Sequence, residues 1–413
     1  MTLPDALPRR LLLSALLVFL AVTLYHWPPN PFWPDALGYR DHILHHDWVA
    51  HPPGYLGFVA LGRLFHLFFS NAHFSAQLAS FFLTLASFPA LYLALRTVLN
   101  RPRSLILLAG FITGWLPLML ARTGTSHAAD LFTSGLLMLT ALRINPEMPA
   151  TRRQFMAFYG ALVLTAFFRL TTLIFFLPLV ALLTLFHWKR PSWWLCALTA
   201  AATVLILQLA VIRLSGGWAA YHTYAAAMHR GNAASSLLYS GFNKATLLNF
   251  ARGGFWWLLS VLPALALSGL LLFQHAKLTP VKPRLWILLA ALAGPLAGPL
   301  LYLATHCGYL APAVPPAFCL AAYLWSLVPP KKIQVLILVS TALLFLFFFL
   351  LAKPFITPRT PARATANALL LQYTNHGFQS GTWKSLAKWL HDTGQQGLVP
   401  AERARDMERP DAM

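Results

Sequence analysis

The sequence predicts an all-α protein that crosses a membrane many times. Three observations carry this. Hydrophobic residues make up 58% of the 413-residue chain and charged residues only 10%, against about 25% charged in a soluble domain. The apolar residues fall in long runs, many close to the roughly 20 residues that a helical span needs. The cations, 31 Lys and Arg against 11 Asp and Glu for a net charge of +20, sit in short clusters between those runs. They read as topology signals and anionic-lipid contacts, not as a nucleic-acid surface. No soluble catalytic domain is visible. The three cysteines, Cys196, Cys307 and Cys319, are few, odd in number and set among apolar residues. They give neither a disulfide framework nor a metal-ligand spacing.

The spans follow in order from the positive-inside rule. Arg9 and Arg10 hold the N-terminus in the cytoplasm, and residues 11–26 cross outward. That start resembles a signal peptide, but no small-x-small cleavage site follows and further apolar runs do, so a retained first span is expected. Residues 27–75 form the first outer loop. Its apolar run 54–69 carries Arg63 and His66 and is short for a span, so it is expected to lie in the interface. The run 76–95 then crosses alone, which places Arg96, Arg101 and Arg103 inside.

Residues 104–121 go out, 122–130 form a short outer loop, and 131–143 return. The run 155–187 is broken by Arg169 and flanked on both sides by cations (Arg152 and Arg153, Lys189 and Arg190), so it is expected to be a hairpin with its tip near Phe168-Arg169-Leu170. Spans at 193–212 and 254–273 enclose an outer loop at 213–253, expected to touch substrate. A span at 285–304 reaches a tip at His306-Cys307-Gly308-Tyr309, the next ends at Lys331 and Lys332, and 333–352 is the last. The count is about eleven. Residues 1–353 form one transmembrane module. Residues 354–413 form a short, partly disordered tail, and Lys353, Arg359 and Arg363 oppose its placement outside.

The acids mark one face. Asp35, Asp41 and Asp47 lie in the first outer loop and Asp130 at the second. An acid at a membrane boundary is costly unless it is solvated, paired or functional. The first loop also holds His42, His45, His46 and His51. The cluster His42–His46 fits either a divalent metal site with Asp35, Asp47 or Asp130, or an interfacial helix whose histidines face water; no strict ligand motif is present.

Two stretches of that loop, Asp35-Ala36-Leu37-Gly38-Tyr39 and His51-Pro52-Pro53-Gly54-Tyr55, resemble the first outer loop of the GT-C glycosyltransferases, in particular the protein O-mannosyltransferase and lipid A aminoarabinose transferase types. Phe168-Arg169-Leu170 leading to Leu177-Pro178-Leu179 is similar to the family's Arg-then-Leu-Pro pattern. The stretch from His306 to Pro315 is similar to its late tyrosine–proline motif. The resemblance spans roughly 1–350. The chain departs from it at Ala36, where an acid is common, and at Gly308, where a cation usually precedes the tyrosine.

The resemblance implies a GT-C-like fold and transfer of a sugar from a polyprenyl-phosphate donor to an acceptor hydroxyl on glycan, lipid or protein. It implies a site at the outer face of a bacterial inner membrane. A phosphate leaving group has a second pKa near 6 and needs charge stabilisation more than a strong acid, while the acceptor needs a base. Asp35 is the candidate base and Arg169 the candidate phosphate ligand. Asp130 with His127 is a candidate to hold a divalent metal or orient a partner of Asp35. Tyr39, His51, Tyr55, His306 and Tyr309 are candidate substrate contacts. Snorkelling by Arg169, helix capping by Asp35 or Asp130, and aromatic-belt packing of the tyrosines are the plain alternatives. A transporter or flippase is the competing function. It calls for charges or broken helices near the midplane of several spans, and only the 155–187 run shows a break.

Overall fold

The computed structural model describes residues 6–25, 34–44, 54–144, 149–243, 283–302 and 307–327, with isolated positions between 246 and 268. All regular structure among them is helical. The expected span at 254–273 is covered only at scattered positions. The span at 333–352, the tail 354–413, residues 45–53 and His306 lie outside the described residues.

The chain runs through α1 (Ala6–Tyr25), α2 (Pro34–Leu44), α3 (Leu56–His66), α4 (Ala72–Arg96), α5 (Arg101–Ile112), α6 (Trp115–Leu120), α7 (His127–Arg143) and α8 (Arg152–Phe175). It continues through α9 (Leu177–His187), α10 (Pro191–Leu214), α11 (Trp218–Ser235), α12 (Leu237–Ser240), α13 (Pro283–Tyr302), a 3₁₀ turn over Cys307–Ala313 and α14 (Val314–Ser326). Five of these, α1, α4, α8, α10 and α13, are long and apolar enough to cross a bilayer. The protein is an all-α, multi-pass membrane protein.

Helix starts follow local chemistry. Asn71 and Asn100 cap α4 and α5 through their side-chain oxygens, which accept from Phe74 N at 3.1 Å and Arg103 N at 3.3 Å. Thr151 and Gln154 form a reciprocal capping box at α8. The α3 helix has 11 residues, about 16 Å at 1.5 Å per residue, too short to cross. It packs its Phe58 and Val59 inward.

Close approach of α4 and α7 comes from small side chains. The buried face of α4 carries Ala72, Ser75, Ala76, Ala79, Ser80, Thr84 and Ser87. A Cβ on Gly135 of α7 would stand 3.2 Å from the Ala90 Cβ. In a bilayer, helix association rests on such packing and on interhelical hydrogen bonds, and Ser80 donates to Thr125 O at 3.0 Å.

Two ends can be told apart. At one, Gln154 Nε2 donates to Arg143 O at 2.8 Å, the Arg103 guanidinium lies over the Trp325 ring, and the Phe155 ring meets His187 at 5.2 Å. This end gathers the cations that flank the spans. The Phe155–His187 contact also shows that the run 155–187 returns to its starting level, as a hairpin must. Its break is at Arg169, whose backbone is extended (φ −162°, ψ 102°) inside α8.

Two expectations change. The span 104–121 is two helices, broken at Thr113-Gly114; a Cβ on Gly114 would sit 2.9 Å from Phe111 O and 3.1 Å from Ser260 O. The loop expected at 213–253 is largely helical where it is described, over Trp218–Ser235 and Leu237–Ser240. Gly216 and Gly217, at φ +87° and +94°, turn the chain sharply out of α10 into α11. Polar, aromatic composition at 218–235 suggested loop, yet its alanines are strong helix formers.

Candidate functional site

At the end opposite the cations, the break in α8 turns Arg169 into the bundle. Its side chain is 3% exposed. Nη1 donates to Asp130 Oδ2 at 2.7 Å and also meets Nδ1 of His127. Nε donates to Thr171 Oγ1 at 3.2 Å. The second carboxylate oxygen, Asp130 Oδ1, accepts from Thr172 Oγ1 at 2.5 Å. Arg169 Nη2 makes no hydrogen bond to the described residues.

Tyrosines surround this pair. The guanidinium carbon lies 4.7 Å from the Tyr309 ring centroid and 5.8 Å from that of Tyr55. Tyr309 meets His127 edge-on at 4.9 Å. Tyr39 meets Tyr55 edge-on at 5.5 Å, and its hydroxyl donates to Ser126 Oγ at 2.7 Å. Ring faces carry partial negative charge and favour a cation above them. Removing two charges from water is expensive, and the pair is supported here by a close ion contact, the Thr172 hydroxyl and two aromatic rings.

His127 Nδ1 also lies 3.4 Å from Asp130 Oδ2. The structure brings together His127 and Asp130, expected to hold a divalent metal or to orient a partner of Asp35, and Arg169 engages both. Among the described residues no three His, Cys, Asp or Glu side chains gather as a metal site.

Two plain alternatives fall. Arg169 does not snorkel; it is buried and paired. Asp130 does not cap α7, whose N-cap is Ser126; it lies in the first turn, where a carboxylate meets the positive end of the helix dipole. Arg122, which follows α6, is a second buried cation, and burial pushes its guanidinium down to about 10.

Of the nine residues expected at the site, the structure brings six together: Tyr39, Tyr55, His127, Asp130, Arg169 and Tyr309. Asp35 is the second residue of α2, one helical turn before Tyr39; its side chain, with His51 and His306, lies outside the described residues. Sequence reasoning missed Thr171, Thr172 and Ser126. The signal for the threonines was their position two and three residues after the one arginine of an apolar run.

A shallow groove lies beside Leu170, between α3, α8 and α10. Gly54, Leu56, Phe167 and Leu207 line it with apolar surface, and Gln208 adds an amide.

No protein-family profile and no curated protein sequence matches the chain. Its fold does have solved relatives. The crystal structure of ArnT from Cupriavidus metallidurans bound to undecaprenyl phosphate superposes with a TM-score of 0.57 at 15% identity, over 92% of this chain and 73% of that one. The apo form of the same protein gives 0.51 at 14%, over 93% and 70%. The chain thus shares the fold of ArnT.

Proposed function

We propose that this protein is an integral-membrane glycosyltransferase that moves a sugar from a polyprenyl-phosphate carrier to an acceptor hydroxyl. The observation that carries the reading is Arg169. It is a buried cation, fixed on one edge by Asp130 and open at Nη2, in a fold shared with a transferase solved with undecaprenyl phosphate. A buried arginine with a spare edge suits a phosphate oxygen.

The reaction follows. The acceptor oxygen bonds to the anomeric carbon as the bond from that carbon to the phosphate oxygen breaks. The configuration inverts, and the carrier leaves as polyprenyl phosphate. Asp35 takes the acceptor proton. Arg169 stabilises the charge that builds on the phosphate, and Tyr55 and Tyr309 hold its guanidinium. His51 and His306 are substrate contacts in this reading. The acceptor is a hydroxyl on glycan, lipid or protein.

By the positive-inside rule, this reading puts the cation-rich end of the bundle in the cytoplasm. The site then faces outward across a bacterial inner membrane, with the N-terminus inside. The test uses purified protein in detergent with undecaprenyl phosphate, and membranes of a deletion strain. Binding of the carrier lipid, together with a changed surface glycan on deletion, supports the reading. No binding of the carrier and an unchanged surface glycan on deletion defeat it.

A further inference from the structure

We infer that Thr172, through Asp130, is a positioning residue that sets the edge of Arg169 offered to the donor phosphate, with Thr171 acting on the same guanidinium from the other side. The inference rests on the proposed polyprenyl-phosphate donor and deepens it.

The hydroxyls of most threonines in these helices do something else. Thr133, Thr140, Thr165 and Thr184 each donate to the carbonyl four residues earlier, at 2.7–2.9 Å. That local bond satisfies the hydroxyl inside an apolar helix and asks nothing of the rest of the fold. Thr172 departs from this. Its hydroxyl, fully buried, crosses to α7 and donates to Asp130 Oδ1 at 2.5 Å. Thr171 departs too, since its oxygen accepts from Arg169 Nε at 3.2 Å.

The consequence is geometric. A carboxylate with one oxygen bound by Thr172 cannot turn freely about its own axis, so Oδ2 is held in one place. Oδ2 takes Nη1 of Arg169, and Thr171 takes Nε. Two of the three nitrogens of a planar group are then fixed, which fixes the third. Nη2, the nitrogen without a partner among the described residues, is left pointing in one direction. Positioning of this kind matters because a charge stabiliser gains most when it needs no reorganisation as the reaction proceeds.

The test compares Thr172→Val and Thr172→Ser in the full-length protein. Dissociation constants for undecaprenyl phosphate are read first, then the KM for the sugar donor and kcat, with the melting temperature of each variant beside them. The valine variant is expected to weaken carrier binding about tenfold, the scale of one hydrogen bond to a charged group, and to raise the donor KM. The serine variant, which keeps the hydroxyl, is expected to restore both. Carrier binding by folded Thr172→Val equal to that of the wild type overturns the inference, even with a lowered melting temperature, because a merely structural role predicts that pattern. Serine that behaves as valine does also overturns it. A wild-type chain that binds no undecaprenyl phosphate overturns both the inference and the functional reading beneath it.

Discussion

Arg169 and Asp130, 39 residues apart in the sequence, meet at 2.7 Å in the interior of the bundle, each at most 3% exposed. Neither side chain could be kept there alone. The pair joins α7 to the break in α8 and so fixes both the hairpin tip and the chemistry of the site. Separating those two roles is the first task for experiment.

A double-mutant cycle does this. Arg169→Leu leaves a buried carboxylate without its cation and is expected to destabilise the protein by about 3–5 kcal/mol. Arg169→Leu with Asp130→Asn removes both charges and is expected to regain much of that stability. Sugar transfer should stay at least 10²-fold down in both, the scale seen when one charge-stabilising donor is lost. Thermal melts in detergent and transfer assays on the same samples give the answer. Activity that returns with stability would reduce Arg169 to a structural role.

Asp35→Asn tests the base. The amide keeps the size of the side chain and cannot accept a full proton. Transfer is expected to fall by roughly 10²–10⁴-fold, with undecaprenyl phosphate binding near that of the wild type, since the carrier is held elsewhere. Full activity in a folded variant would sink the assignment.

Tyr309→Phe and Tyr309→Leu separate ring from hydroxyl. The guanidinium sits 4.7 Å from this ring. Phenylalanine keeps the negative face, so carrier binding is expected to change little. Leucine removes it, and binding should weaken by about 1–2 kcal/mol. Equal behaviour of the two variants, measured as dissociation constants for undecaprenyl phosphate, would assign the effect to the hydroxyl.

How far the sequence could be read depended on the kind of signal. Hydropathy and the arginine clusters were enough for the long helices α1, α4, α8, α10 and α13, and for the short α3, because bilayer thickness sets a length that composition reveals. Arg169 stood out for the same reason, as a cation without cover in an apolar run. What could not be read was contact. Nothing in the spacing of His127, Asp130 and Arg169 says that the arginine would meet both of the other two. Thr172 was invisible because a threonine in a membrane helix normally bonds its own turn. The helix α11 was missed because its aromatic and polar residues mask the helix preference of its alanines.

The last prediction concerns the seat of α13 against the hairpin. A Cβ on Gly294 would collide with the backbone oxygen of Phe175, at the end of α8. Backbone cannot swing aside as a side chain can, so Gly294→Ala must push α13 away from the turn between α8 and α9. Overpacking of this kind is expected to lower stability by about 1–3 kcal/mol. Gly160→Ala is the matched control: it lies in α8, nothing stands within 4 Å of its Cβ, and a helical glycine replaced by alanine gains about 0.5–1 kcal/mol. The two single-methyl changes should therefore shift the melting temperature in opposite directions. A Gly294→Ala protein that melts at or above the wild type would show that α13 does not rest on the Phe175 backbone.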